Sequence, residues 1–159
     1  MKNQPTNPLT WLVETKFHPP LPSDDAISRS RLLNVLRRSL AAHPLTLISA
    51  PAGYGKTTLL AALSQKRENR TLHADDETPQ AVPPSSNIAW LSLEEADNDP
   101  ARFLPSLVVA LQHLNPACGA TAQSLLTGQA GMGIEMWQVV SVLVNDIQET
   151  LPAPFVLIL

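Results

Sequence analysis

Polar and apolar positions alternate along this chain with two different periods, and the switch between them predicts the elements. From Ser28 onward, Leu32, Leu33, Leu36 and Leu40 share one face while Arg31, Arg37 and Arg38 lie off it, which predicts an amphipathic helix. Pro44 stops it. The apolar run Leu45-Thr46-Leu47-Ile48-Ser49 predicts a first strand, and Leu59, Leu60 and Leu63 mark a helix reaching about Arg67. Ile88-Ala89-Trp90-Leu91-Ser92-Leu93 is too apolar for a strand with one wet face and predicts a central one, with Trp90 in the core.

Asp99 followed by Pro100 is a helix start, an N-cap and then the residue favoured at the first helical position. Phe103, Leu104, Leu107, Val108, Leu111 and Leu114 continue it at helical spacing. Pro105 conflicts with that pattern, since an interior proline costs about 3 kcal/mol, so a separate first turn or a kink is expected. Ala122–Leu126 predicts a short helix within a stretch rich in Gly, Ala and Ser/Thr, and 135–150 predicts an amphipathic one carrying Met136, Val139, Val140, Leu143, Val144 and Ile147. Pro152 and Pro154 end it, and Phe155-Val156-Leu157-Ile158-Leu159 reads as a buried strand. The expected fold class is therefore α/β.

Two regions lack any period. Residues 1–22 are polar and proline-rich and read as an extended arm, with Thr15-Lys16-Phe17-His18-Pro19-Pro20 expected to be non-helical because each proline restricts its predecessor. Residues 68–87 read as a solvated loop, and their acidic triplet Asp75-Asp76-Glu77 as hydrated charge rather than a metal site. The domain proper is expected over 23–159.

The chemistry concentrates between the first strand and the next helix. Ala50-Pro51-Ala52-Gly53-Tyr54-Gly55-Lys56-Thr57-Thr58 follows the phosphate-binding pattern Gly-x-x-x-x-Gly-Lys-Ser/Thr, with Ala50 in the first glycine position. A loop of this kind turns backbone N–H groups inward onto phosphate oxygens, and Gly53 and Gly55 permit the backbone geometry and close approach that this needs. A helix starting near Lys56 adds its unpaired N–H groups and positive dipole end. Lys56 is expected on the β- and γ-phosphates, the Thr57 hydroxyl on Mg²⁺, and Thr58 toward the α-phosphate. The ligands expected from the motif are thus a nucleotide and Mg²⁺.

Composition narrows the setting. The chain has 159 residues, 44% of them hydrophobic, a formal net charge of −3 and 15 prolines. That is one domain's worth of a globular composition. The negative balance argues against a broad nucleic-acid-binding face. No apolar run is long enough to span a membrane, and the N-terminus lacks a signal-peptide pattern. The single cysteine, Cys118, reads as a small core or loop residue in a reducing, cytoplasmic setting. His18, His43, His73 and His113 fall on unrelated elements and nominate no metal or hydrolytic site.

Three of these stretches, in this order, resemble the N-terminal ATPase region of the large MalT-type LuxR regulators, members of the signal-transduction class of P-loop ATPases. They are Thr15-Lys16-Phe17-His18-Pro19-Pro20 with Ile27-Ser28-Arg29-Ser30-Arg31-Leu32-Leu33; Ser49-Ala50-Pro51-Ala52-Gly53-Tyr54-Gly55-Lys56-Thr57-Thr58-Leu59; and 89–103, running from Ala89-Trp90-Leu91-Ser92-Leu93 to Phe103. The likeness covers residues 15–159, and in that family alanine is common where Ala50 stands. It implies a P-loop NTPase domain, a parallel sheet flanked by helices, and it makes Arg29 a contact for the adenine or ribose. Pro105 and the long 68–87 loop depart from the family pattern.

The resemblance also implies that the strand matching Phe155–Leu159 is followed directly by an Asp-Asp pair, the Walker B acids. A further strand from later sequence would lie between the P-loop strand and that one. The expectation is a partial sheet, incomplete at the C-terminal end, in a truncated piece of a longer regulator or a truncated gene model. The parent would use ATP as a switch for self-association and bind promoter DNA through a helix-turn-helix outside this chain. With Lys56 and Thr57 but no Walker B acids, weak nucleotide binding, negligible hydrolysis and no catalytic residue are expected. A small P-loop kinase is the alternative, disfavoured because 115–150 contains no Lys or Arg for a lid. An inactive remnant is the third.

Overall fold

The computed structural model describes residues 12–21, 27–65, 87–127, 135–151 and 154–159. Within them the chain runs from a short 3₁₀ turn (Glu14–Phe17) to helices α1 (Ser30–Ala42) and α2 (Lys56–Ser64), then strand β1 (Ile88–Trp90) and a second 3₁₀ turn (Glu95–Asn98). Helices α3 (Pro100–Gln112), α4 (Ala120–Thr127) and α5 (Met136–Thr150) lead to strand β2 (Val156–Ile158). Arg67 and the 68–86 stretch, with its acidic triplet and His73, lie outside the described residues.

The sheet is a parallel pair, Ile88 opposite Val156, Ala89 opposite Leu157 and Trp90 opposite Ile158. Leu91 N–H donates to the Ile158 carbonyl at 2.9 Å and carries the pairing one residue further. Parallel strands need a long crossover, and α3, α4 and α5 supply it. Ala89, Trp90, Leu91 and Ile158 are buried, but Val156 and Leu157 are half-buried and Leu93 and Leu159 exposed, so the two apolar runs lie only partly in the core and form shorter strands than expected.

The predicted first strand does not form. Residues 45–50 carry no regular secondary structure, and Leu45 and Leu47 are 84% and 88% exposed. Apolar sequence alone makes no strand: a strand exists through ladder hydrogen bonds to a neighbour, and no described strand lies beside this segment.

Helix α3 is continuous through Pro105, so of the two expectations the separate first turn does not occur. Asp99 caps it by accepting from Ala101 N–H at 2.9 Å, and Pro100 occupies its first turn as anticipated. Pro105 removes one backbone bond, but the helix also buries Leu104, Val108 and Leu111 against Cys118, Ala122, Val139 and Leu143, and that apolar burial offsets the local cost. Cys118 is a free, fully buried thiol within this cluster, in the turn before α4, consistent with the small core or loop residue expected.

Two polar side chains fix the crossover. Asp146 on α5, 9% exposed, accepts at Oδ2 from the N–H groups of Thr121 (3.0 Å) and Ala122 (3.2 Å), satisfying donors that the first turn of α4 leaves without helical partners. One turn further on, at the C-terminal end of α5, Asn115 donates from Nδ2 to the Thr150 carbonyl at 2.8 Å.

The arm also departs from expectation. Residues 14–17 form a 3₁₀ turn rather than an extended run, with Phe17 3% exposed against Leu91 and Ala110. The proline restriction acts only where it reaches: His18, directly before Pro19, is extended at φ −121°, ψ 138°. Ser92 N–H donates to the Lys16 carbonyl at 2.8 Å, so the arm docks on the residues following β1.

Candidate phosphate-binding site

The nine residues Ala50–Thr58 stay together as one exposed or half-buried loop and the first turn of α2. Gly53 and Gly55 both take positive φ, +80° and +76°. Gly55 is the N-cap of α2 in the left-handed conformation, and its carbonyl accepts from Leu59 N–H at 2.9 Å. A side chain there would be strained, and it would also meet the Arg29 guanidinium at 3.4 Å. The N–H groups of Lys56, Thr57 and Thr58 begin the helix and have no intrahelical acceptor. They and the helix dipole favour an anion at this end.

Lys56 folds back over the loop. Its ammonium donates to the Ala50 carbonyl at 2.6 Å and to the Pro51 carbonyl at 2.9 Å. The positive charge is thereby held across the loop that the glycines shape. Thr57 and Thr58 are exposed, leaving the Thr57 hydroxyl open to a metal ion.

Arg29, nominated only by resemblance, reaches this loop. Its Nη1 donates to the Tyr54 carbonyl at 2.7 Å, joining the residue before α1 to the tip of the loop 25 positions later. Tyr54 itself is 63% exposed. The cation therefore lies beside the loop, tied to its backbone. Helix α1 packs on α2 and keeps the two near each other, with Leu36, Ala61 and Leu63 buried. Leu32 stays 42% exposed, so the apolar face of α1 is only partly covered.

Chemically, the site offers an anionic ligand the Lys56 ammonium, a helix N-terminus and a free hydroxyl from the motif itself, with the Arg29 guanidinium added beside the loop. Sequence spacing did not bring His18 and His113 together, yet their rings lie 5.0 Å apart, centroid to centroid, with Glu14 bonded to His18. The one local signal was the four-residue step from Glu14 to His18. No helix among the described residues is long and apolar enough to cross a membrane.

No family model matches the chain. Over 101 residues it is 38% identical to the HTH-type transcriptional regulator MalT of Yersinia enterocolitica, and to that of Serratia proteamaculans to the same extent. The same identity and span hold for the regulator of Yersinia pestis. Each match takes in 64% of this chain and 9% of the relative, so the chain spans under a tenth of the length of the regulators it resembles. This similarity, together with the order of the three motifs, makes the chain a relative of the MalT-type HTH transcriptional regulators over a small part of their length.

Proposed function

We propose that this chain is the Mg-ATP-binding portion of a MalT-like transcriptional regulator, built on the P-loop NTPase plan. The observation that carries the reading is the Lys56 ammonium held across a glycine-shaped loop by the carbonyls of Ala50 and Pro51. An ammonium in that place exchanges weak carbonyl partners for phosphate oxygens when a nucleotide arrives, a stronger charge-assisted bond.

The residues present fit the ligand. The backbone from Ala50 to Gly55 and the first N–H groups of α2 would surround the β-phosphate, with Lys56 reaching the terminal phosphates and Thr58 toward the α-phosphate. Thr57 would hold Mg²⁺, which supplies charge neutralisation to the phosphate oxygens. Arg29 is tied to the Tyr54 carbonyl; it steadies the loop and would contact the base or ribose. The role is a switch and not turnover: phosphoryl transfer needs residues that position water and metal beyond a phosphate cradle. In the whole regulator, self-association would follow nucleotide binding, and promoter recognition would belong to a helix-turn-helix elsewhere, with no nucleic acid bound by this segment. A cytoplasmic location goes with that role.

Equilibrium binding of a fluorescent ATP analogue to the 159-residue chain, with and without Mg²⁺, tests this. Saturable binding is expected, lost in Lys56→Ala and insensitive to Mg²⁺ in Thr57→Ala. Absence of saturable binding by the unaltered chain, or equal binding by Lys56→Ala, overturns it. Steady ATP hydrolysis that disappears in Lys56→Ala would contradict the switch role.

A further inference from the structure

We infer that Glu14, His18 and His113 form a surface site for a divalent transition-metal ion, Zn²⁺ by its chemistry, which clips the N-terminal arm to the end of α3. The three side chains come from two elements far apart in sequence: Glu14 and His18 from the 3₁₀ turn and the residue after it, His113 from the C-cap of α3. Their donor atoms all lie within 4.8 Å of one another, and all three residues are exposed and open to an ion from solvent. Among the described residues they are the one such group of His, Cys, Asp or Glu side chains.

The geometry is close to what a metal needs. Glu14 Oε1 and His18 Nε2 are 3.1 Å apart. Tetrahedral bonds of about 2.0–2.1 Å place neighbouring donors about 3.3–3.4 Å apart. That pair already has the spacing, and the widest permitted separation closes by rotating exposed side chains. The rings of His18 and His113 meet edge to face at 82°, and Phe17 lies against His113 at 27° with centroids 5.9 Å apart, which limits how His113 can turn.

The base beneath the site is firm for reasons unrelated to any metal. Phe17 is buried, and Lys16 is bonded through both its ammonium and its carbonyl. The donors are therefore brought together before an ion arrives, and binding need not first order the arm. Two imidazoles and one carboxylate select a borderline cation over Mg²⁺ or Ca²⁺, which prefer an all-oxygen shell. Three protein ligands leave at least one coordination position to water, an open rather than a closed site.

The test uses the full 159-residue chain. Zn²⁺ is titrated by calorimetry and Co²⁺ by visible absorption, alongside a thermal melt. One equivalent of Zn²⁺ is expected, with the intense visible bands of four-coordinate Co²⁺ and a higher Tm in the presence of metal. These signals are expected to be lost in His18→Gln/His113→Gln, weakened in Glu14→Gln, and unchanged in His43→Gln/His73→Gln and in Lys56→Ala. Circular dichroism of each variant keeps loss of a ligand distinct from loss of fold. The inference is overturned if the unaltered chain takes up no stoichiometric Zn²⁺, or if the folded His18→Gln/His113→Gln variant binds it equally well.

Discussion

Lys16 and Asp97, 81 positions apart, are joined by a two-pronged ion pair: the Lys16 ammonium lies 2.7 Å from one carboxylate oxygen of Asp97 and 2.8 Å from the other. Their side chains are only 9% and 4% exposed. Asp97 Oδ2 also accepts from Glu94 N–H at 2.7 Å, so the carboxylate serves the arm and the turn after β1 together. Two of the three stretches that carry the family resemblance, the arm and the segment beginning at Ala89, are therefore a single contact in space.

Asp97→Asn is expected to destabilise the fold by about 1.5–3 kcal/mol, the range for hydrogen bonds to a charged group. Lys16→Met leaves the carboxylate half-partnered and is expected to cost a similar amount. Urea unfolding of both variants measures this. Additive losses in the double variant would show that the pair is not coupled.

The same contact sets a pH dependence. Burial alone raises the Asp97 pKa, but the Lys16 hydrogen bond, the Glu94 N–H and the positive charges of Lys16 and Arg102 outweigh it and hold the carboxyl below its ordinary value of 3.8. A carboxylate depressed in the folded state contributes stability that is fully present above its unfolded pKa and is lost as pH falls through the folded one. Stability is thus expected to drop in the acid range below 3.8, and the drop to shrink in Asp97→Asn. Thermal melts across acid pH check it.

Arg29→Ala removes the bond to the Tyr54 carbonyl and frees the loop beside Gly55. Under the nucleotide-binding proposal, Mg-ATP affinity is expected to fall about tenfold, equivalent to about 1.4 kcal/mol. Overall stability is expected to change little, because the contact is exposed. Binding isotherms and melts of the same variant separate the two effects.

Gly119→Ala is expected to be among the most damaging single substitutions. Gly119 takes φ +70°, and an added Cβ would stand 2.9 Å from Val108 Cγ1 and 3.3 Å from Leu143 Cδ1. Backbone strain and core overlap together are expected to cost about 2–4 kcal/mol. A fall in Tm with unchanged Zn²⁺ or nucleotide stoichiometry at low temperature would assign the effect to packing.

Asp146→Ala leaves the Thr121 and Ala122 N–H groups without their carboxylate at the start of α4. A loss of about 1–2 kcal/mol is expected, typical of a removed helix cap. Hydrogen exchange is expected to quicken first at those two amides.

What the sequence determined by itself is whatever depends on neighbours within a few residues. Asp99 and Pro100 start α3, Gly55 and Lys56 shape the loop into α2, and the spacing of Val139, Leu143 and Ile147 makes α5, all through contacts one or two turns long. Tertiary structure decided the rest. Lys16 with Asp97, Arg29 with Tyr54, Asp146 with α4 and His18 with His113 are pairings between elements, and no local rule encodes them. The run at 45–49 makes the same point in reverse: it has the composition of a strand, but a strand is completed by hydrogen bonds to another segment. Pro105 sits in an unbroken helix because burial of its neighbours outweighs the bond it lacks, a balance that only the packed core sets.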